Sequence, residues 1–233
     1  MNFFKSQRKI IGIILFIIAI DIISFFDIVL AVGFVFVGFL IAITCLIFSK
    51  AKIGNRNIYL LFFIAFLIHL SVVLFIHYFN FQPFGGDYIF YQQQAEEIAQ
   101  RVSQGNFSLG GLSISHYYPV VIGYIYALTL PEMLIGQLFG VWLAAISVLL
   151  VYLIILEIGG SKKSAFLMGL ITAIYPSYLL FGSLLLKDVF VIPLTLFGLL
   201  LTLKLIKNFF WRKKFFHNYF KILISNMPLV LPF

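Results

Sequence analysis

Charge is what this sequence has least of. Charged residues make up 10% of 233 positions, and only eight of them are acidic, against a hydrophobic share of 63%. A soluble domain is about half apolar and about a quarter charged, so a soluble globular fold is excluded. Cysteine is nearly absent. The single Cys45 rules out an intramolecular disulfide and suggests no metal site. It lies inside an apolar run and reads as a packing residue. Polar stretches are also scarce, and residues 80–118 form the one sizeable polar segment on its side of the apolar runs.

What the chain does have is length of apolar run. A helix crosses a hydrocarbon core of about 30 Å with roughly 20 residues. Six stretches meet or approach that length: Ile10–Phe26, Ile28–Phe48, Ile58–Phe79, Met133–Leu156, Ser164–Leu186 and Val189–Ile206. The expected fold class is therefore all-α, a polytopic integral membrane protein of about six transmembrane helices, with interfacial helices in its first large outer loop. The first stretch lacks a small-residue cleavage site and is followed at once by the next, unlike a removable signal peptide.

The cations orient the spans. Lys5, Arg8 and Lys9 precede the first. Lys50, Lys52 and Arg56 fall between the second and third, and Lys162 and Lys163 between the fourth and fifth. Lys204, Lys207, Arg212, Lys213, Lys214 and Lys221 follow the sixth. With six spans all of these share one side, and only Arg101 and Lys187 fall on the other. This positive-inside pattern predicts a cytoplasmic amino terminus. The formal net charge of +8 is then topogenic, with membrane lipids as partners and no nucleic acid; Trp211–Lys214 would meet anionic headgroups. The organisation expected is an accessory transmembrane hairpin over 1–49, a main transmembrane module over 50–207 with its outer loop at 80–131, and a basic cytoplasmic segment with an incomplete apolar tail over 208–233. That tail is too short to span and contains Asn226, Pro228 and Pro232, which makes the chain look interrupted.

Within the outer loop, Pro83, Gly85 and Gly86 suit a turn. Tyr88–Gln104 then reads as one helix, with Tyr91, Ala95, Ile98 and Val102 at helical spacing. It would lie in the interface plane. Val120–Leu130 reads as a second interfacial helix, in which Tyr124 and Tyr126 suit an aromatic belt. His69 and His77 sit on the third span as packing or interfacial groups. Asp21 and Asp27 mark the outer end of the hairpin. Asn106-Phe107-Ser108 is a glycosylation sequon, a weak signal taken alone. At the other outer turn, Lys187-Asp188 separates two stretches that contain Pro176 and Pro193. Proline disturbs a helix there, and the freed backbone groups require neighbours or water.

Taken in order, these pieces resemble a known group. Gly86-Asp87-Tyr88-Ile89-Phe90-Tyr91 is followed by His116-Tyr117-Tyr118-Pro119, then Gly159-Gly160-Ser161-Lys162-Lys163, Tyr175-Pro176-Ser177 and Leu186-Lys187-Asp188. The series is similar to the amino-terminal part of GT-C glycosyltransferases, the protein O-mannosyltransferase and aminoarabinose-transferase-like group (family 39 and its bacterial relatives). The likeness covers roughly residues 58–207, as an arrangement more than a strict motif. Two departures stand out: the extra hairpin 1–49, and an end at Phe233 ahead of the usual later spans, so that a carboxy-terminal half would be a missing partner.

The resemblance implies transfer of a sugar from a lipid-linked donor, a polyprenyl phosphate, on the outer face of a plasma (inner) membrane. On it, Asp87 and Asp188 are the catalytic carboxylates, and Tyr88, Tyr91, His116, Tyr117 and Lys187 bind substrate. Asp87 is either the base that takes the acceptor's proton or a carboxylate that organises the phosphate through a divalent cation. The cofactor is otherwise unknown. Lys187 would neutralise the departing phosphate. Two rivals belong to other classes. A transporter or flippase subunit would carry polar residues near mid-membrane, where these spans are almost purely apolar. A non-catalytic membrane scaffold is compatible with the residues.

Overall fold

The computed structural model describes residues 2–50, 55–79, 81, 86–112, 114 and 116–225, and side chains from Gly12 to Phe209 within them apart from Ile13. Lys52, Pro83, Gly85 and the tail residues Asn226, Pro228 and Pro232 lie outside the described residues. Every regular element among those described is an α-helix: α1 Asn2–Phe26, α2 Ile28–Lys50, α3 Arg56–Tyr78, α4 Asp87–Ser103, α5 Tyr117–Leu128, α6 Met133–Glu157, α7 Lys162–Ile174, α8 Pro176–Ser183 and α9 Asp188–Ser225. The polytopic all-α class expected from composition is what the chain adopts.

Among the described residues four helices are long and apolar enough to cross a membrane: α2, α3, α6 and the Asp188–Phe209 part of α9. The predicted span Ser164–Leu186 requires correction. It is two helices, α7 and α8, bent by 60° at a short break, and makes a fifth crossing if taken as one. The cause is Pro176, the first residue of α8, which holds Tyr175 in an extended conformation at φ −63°, ψ 119°. A residue before proline is pushed out of the α region, and proline itself has no N–H to continue the ladder. In α1 the apolar stretch among the described side chains is Ile14–Phe26. At the other extreme, α9 does not stop near Ile206 as read from hydropathy; its backbone stays helical to Ser225, across Pro193.

Caps explain several boundaries. The Asn55 side chain accepts from the Ile58 N–H at the start of α3, and Ser161 accepts from the Ser164 N–H at the start of α7, each satisfying a donor that the first turn leaves open. Gly159, at φ +95°, reverses the chain after α6, a left-handed conformation that glycine adopts without a Cβ penalty.

Helix α6 is the axis of the bundle. Its apolar window is 67% buried, against 17–39% for the other three long helices, and α2, α3, α7, α8 and α9 all pack on it. The pair α4–α5 lies at the end where α3 finishes and α6 and α9 begin. The α1–α2 turn is tied to the same end. The Tyr78 hydroxyl donates to Asp27 Oδ2 at 2.7 Å, and the Leu30 N–H donates to Asp27 Oδ1 at 2.9 Å. Burial pushes the Asp27 carboxyl up, but these two hydrogen bonds and the nearby His77 outweigh it and hold the group below its usual value. At the far end Lys207 pairs with Glu157 at 3.0 Å.

Candidate functional site

The polar residues singled out from sequence sit at the α4–α5 end. Gly86, at φ +87°, turns the chain into α4, and Asp87 is the first residue of that helix. Asp188 is likewise the first residue of α9. Both carboxylates therefore stand where the helix dipole favours an anion, and both are exposed.

What joins these two helix starts is α4 packed on α5. Tyr91, Ala95 and Ile98 of α4 and Tyr118, Ile122 and Tyr126 of α5 are all buried. Contact is tightest at Gly123, where a Cβ would stand 2.6 Å from Ile98. A glycine there lets the two helices meet closely enough to act as one rigid layer. Farther along, the Tyr126 hydroxyl donates to Gln92 Oε1, and Gln92 Nε2 reaches Glu96 Oε1 at 2.5 Å. The aromatic-belt reading of Tyr126 is thereby corrected. The ring is 2% exposed, because its hydroxyl finds an amide partner inside the pair and not in the interface.

The site itself forms where α5 starts against the α8–α9 turn. Lys187 Nζ lies 3.1 Å from His116 Nε2. An ammonium group can only donate, so His116 accepts through Nε2 and carries its proton on Nδ1. The Tyr91 ring meets His116 edge-on at 6.0 Å and Tyr118 edge-on at 5.9 Å. Tyr118 in turn lies against Phe190 of α9 at 6.2 Å. The Tyr91 hydroxyl is held above its usual range, first by burial and then by the negative charges of Asp87 and Asp188. One phenol thus feels both carboxylates, although they are 101 positions apart in the chain.

Of the residues expected to form a site, His116 and Lys187 pair directly and Tyr91 packs on His116, while Asp87 and Asp188 both raise the Tyr91 hydroxyl through their charge. Tyr117 is at the margin. It is 86% exposed and borders a groove of about 620 Å³ together with His116, Tyr118, Lys187 and Phe190. Tyr88 departs from the cluster. It is buried over a small void of about 80 Å³ shared with His77, Gln137 and Leu184, so its ring packs the layer onto the bundle. Sequence reasoning quoted Tyr118 in the His116–Pro119 series and read it as an aromatic-belt tyrosine without assigning it to the site; it is buried, and its hydroxyl has no hydrogen-bond partner among the described residues. The spacing of Tyr118, Ile122 and Tyr126 was the available signal, since residues four apart share a helix face. It turns Tyr118 inward and Tyr117 outward. Among the described residues no three His, Cys, Asp or Glu side chains converge as a metal site would require. Asp87 and Asp188 alone are a poor fit for a protein-held divalent cation.

The helical bundle thus carries the α4–α5 layer at one end, with a lysine–histidine pair on a mostly apolar groove and exposed carboxylates at the starts of α4 and α9. A family model described as dolichyl-phosphate-mannose-protein mannosyltransferase matches residues 87–223. The chain belongs to this family of membrane glycosyltransferases. The match opens at Asp87 and takes in α4 through most of α9, leaving α1, α2 and α3 outside it. No curated protein and no solved structure matches the chain.

Proposed function

We propose that this protein transfers a sugar from a polyprenyl-phosphate donor to an acceptor on the outer face of a plasma membrane, with its amino terminus in the cytoplasm. The observation that carries this reading is the Lys187–His116 pair at the polar end of the groove along α9, with Tyr91 packed edge-on against His116. A donor with a long prenyl chain does not leave the bilayer, so its reacting carbon has to meet the enzyme at the interface. The groove has that character: His116 and Lys187 stand at its polar end, and Phe190, Val191 and Leu194 continue it along α9.

In this reading Asp87 accepts the proton of the attacking acceptor group. Lys187, positioned by His116, faces the phosphate as it leaves the anomeric carbon. Asp188 orients the acceptor. Tyr91 and Tyr118 form the aromatic wall that fixes His116. The test is sugar transfer from a labelled polyprenyl-phosphate sugar by membranes containing the full protein. Label is expected in acceptor material only when the protein is present, and no difference from membranes lacking it would refute the reading.

Orientation has its own test. In a background with Cys45 replaced by Ser, Gln93→Cys is expected to react with an impermeant thiol reagent on intact cells, and Lys213→Cys only after permeabilisation. The opposite pattern would place Asp87 on the cytoplasmic side and defeat the outer-face assignment.

A further inference from the structure

His69 lies inside α3, fully buried, and neither ring nitrogen has a hydrogen-bond partner among the described residues. Leaving such a group unpaired in an apolar interior is costly, and an ionisable residue inside a span is by default a candidate for function. Its neighbours show where the ring bears. Tyr178 of α8 meets it edge-on at 5.3 Å, and the Tyr178 hydroxyl reaches the Ala144 carbonyl of α6 at 3.4 Å. Beside the ring stands Gly182, also of α8. A Cβ there would lie 2.9 Å from both Cε1 and Nδ1 of His69 and 3.4 Å from Ala144 Cβ.

The same end of α8 is sunk into α6. A Cβ at Gly140 would lie 3.3 Å from the Gly182 carbonyl oxygen, and one at Gly136 would collide with Leu185. Gly136, Gly140 and Ala144 recur every four residues, so they share one face of α6, and small residues at that spacing let backbones come close within a membrane. Gly182 therefore lies between a ring on α3 and a bare strip on α6. Leu184, Leu185 and Leu186 follow, all buried, and Lys187 comes five residues after Gly182. Helix α8 is only eight residues long and is bent by 60° from α7, so these side contacts, more than α7, set where it ends.

We propose that His69 and Gly182 are positioning residues for Lys187. The imidazole bears on the bare backbone of Gly182 and sets how far the end of α8 reaches toward α3. That depth places the buried Leu184–Leu186 stretch, and with it the Lys187 ammonium group 3.1 Å from His116 Nε2. His69 acts through α8 and not on substrate. The inference rests on the reading of Lys187 as the cation that meets the departing phosphate. A side chain at position 182 would force a shift of at least 0.5 Å, the difference between 2.9 Å and the 3.4 Å where ordinary contact begins. Misplacing a reacting group by about 1 Å costs on the order of 10²-fold in rate.

The first readout follows Lys187 without using sugar transfer. In the full protein in nanodiscs, nitrogen NMR of isotope-labelled histidines is expected to show His116 with its proton on Nδ1 and a bare Nε2, the form that an ammonium donor imposes; His116→Gln identifies the signal. Gly182→Ala is expected to erase that signature and to lower kcat about tenfold, with KM for the donor changed far less. Adding His69→Ala makes room for the new Cβ and is expected to restore both. Deleting a second buried ring does not repair a general loss of packing, so recovery separates positioning from stability. Gly198→Ala, in α9 with open space where its Cβ would stand, should change neither readout. If Gly182→Ala fails to fold, Gly140→Ala presses the Gly182 carbonyl from the opposite wall and should erase the signature without recovery on adding His69→Ala. The inference is overturned if the unmodified protein lacks the signature, if these alanines leave it intact, if His69→Ala does not rescue Gly182→Ala, or if kcat falls while the signature stays. Loss and recovery of the signature in a protein that transfers no sugar in any form would leave the placement of Lys187 standing and defeat the proposed function.

Discussion

Asp87→Asn is expected to lower sugar transfer by roughly 10²-fold or more, while the protein inserts and folds normally. The size of the effect follows from what the carboxylate is asked to do. An acceptor hydroxyl or amine that attacks the anomeric carbon has to lose a proton, and a positioned base is typically worth 10²–10⁴-fold. Asn keeps the shape and hydrogen-bonding reach of Asp but cannot take that proton. The structural cost is small. Asp87 is exposed and opens α4 with no side-chain cap bond at that end. Losing an anion at an exposed helix N-terminus costs about 0.3–1 kcal/mol, too little to unfold a layer held by the buried faces of α4 and α5. The assay is initial-rate transfer from a labelled polyprenyl-phosphate sugar, with membrane content checked by immunoblot. A second readout separates chemistry from fit: KM for the donor should change far less than kcat, because the base acts in the transition state. Near-normal turnover would move the proton acceptor elsewhere, and Asp188 would be the next residue to test.

The large features of the fold were legible because the membrane makes them so. Apolar runs of spanning length, punctuated by cations on one side, marked α2, α3, α6 and the spanning part of α9 to within a few residues. The α4–α5 pair was legible for a different reason. Tyr91, Ala95 and Ile98 repeat at helical spacing between glycines, and Gly86 and Gly105 both adopt positive φ at the boundaries of α4. What hydropathy does not encode is continuity. The run Ser164–Leu186 is apolar throughout, so only Pro176 signalled the break, and a proline inside a span can also be absorbed, as Pro193 is within α9. The two differ in place. Pro176 begins a helix, whereas Pro193 lies beyond the first turn of one. The far end of α9 was hidden for the converse reason: polarity rises after Ile206, while the backbone stays helical.

The site was partly legible. Asp87, His116, Lys187 and Asp188 are polar residues in a chain that has few, so scarcity itself drew attention to them. Tyrosines carry less information, since a ring can anchor, pack or bind. Tyr88 and Tyr126 were each placed by contacts that span long sequence separations. Tyr88 faces Gln137 and Leu184, and Tyr126 reaches Gln92. No local pattern specifies those pairings, which depend on how α4 and α5 settle on α6.

Lys187→Met should reduce kcat by roughly 10²–10³-fold, the range for removing one preorganised electrostatic contact to a developing anion, with Lys187→Arg recovering part of it. Lys187 lies in the turn between α8 and α9, after the buried residues Leu184, Leu185 and Leu186. These anchor the turn in the bundle and leave the lysine little freedom to wander. His116 fixes its ammonium group from the other side at 3.1 Å. Arg101, the other cation expected on this side, is engaged with the Gly110 carbonyl at 3.0 Å and Glu97 at 3.5 Å, so it is not poised to substitute. Negative charge grows on the phosphate as its bond to the anomeric carbon breaks. A cation already in place stabilises that change without reorganising. Met preserves the apolar stem and the packing of the turn while deleting the charge, so the loss should appear in kcat more than in KM. Arg restores charge, but its planar fork differs from a compact ammonium group and does not reproduce the geometry with His116. The same kinetics resolve the alternative. If Lys187→Met raises KM and leaves kcat intact, Lys187 only holds the donor's phosphate in the ground state, and its role in departure of the phosphate is wrong.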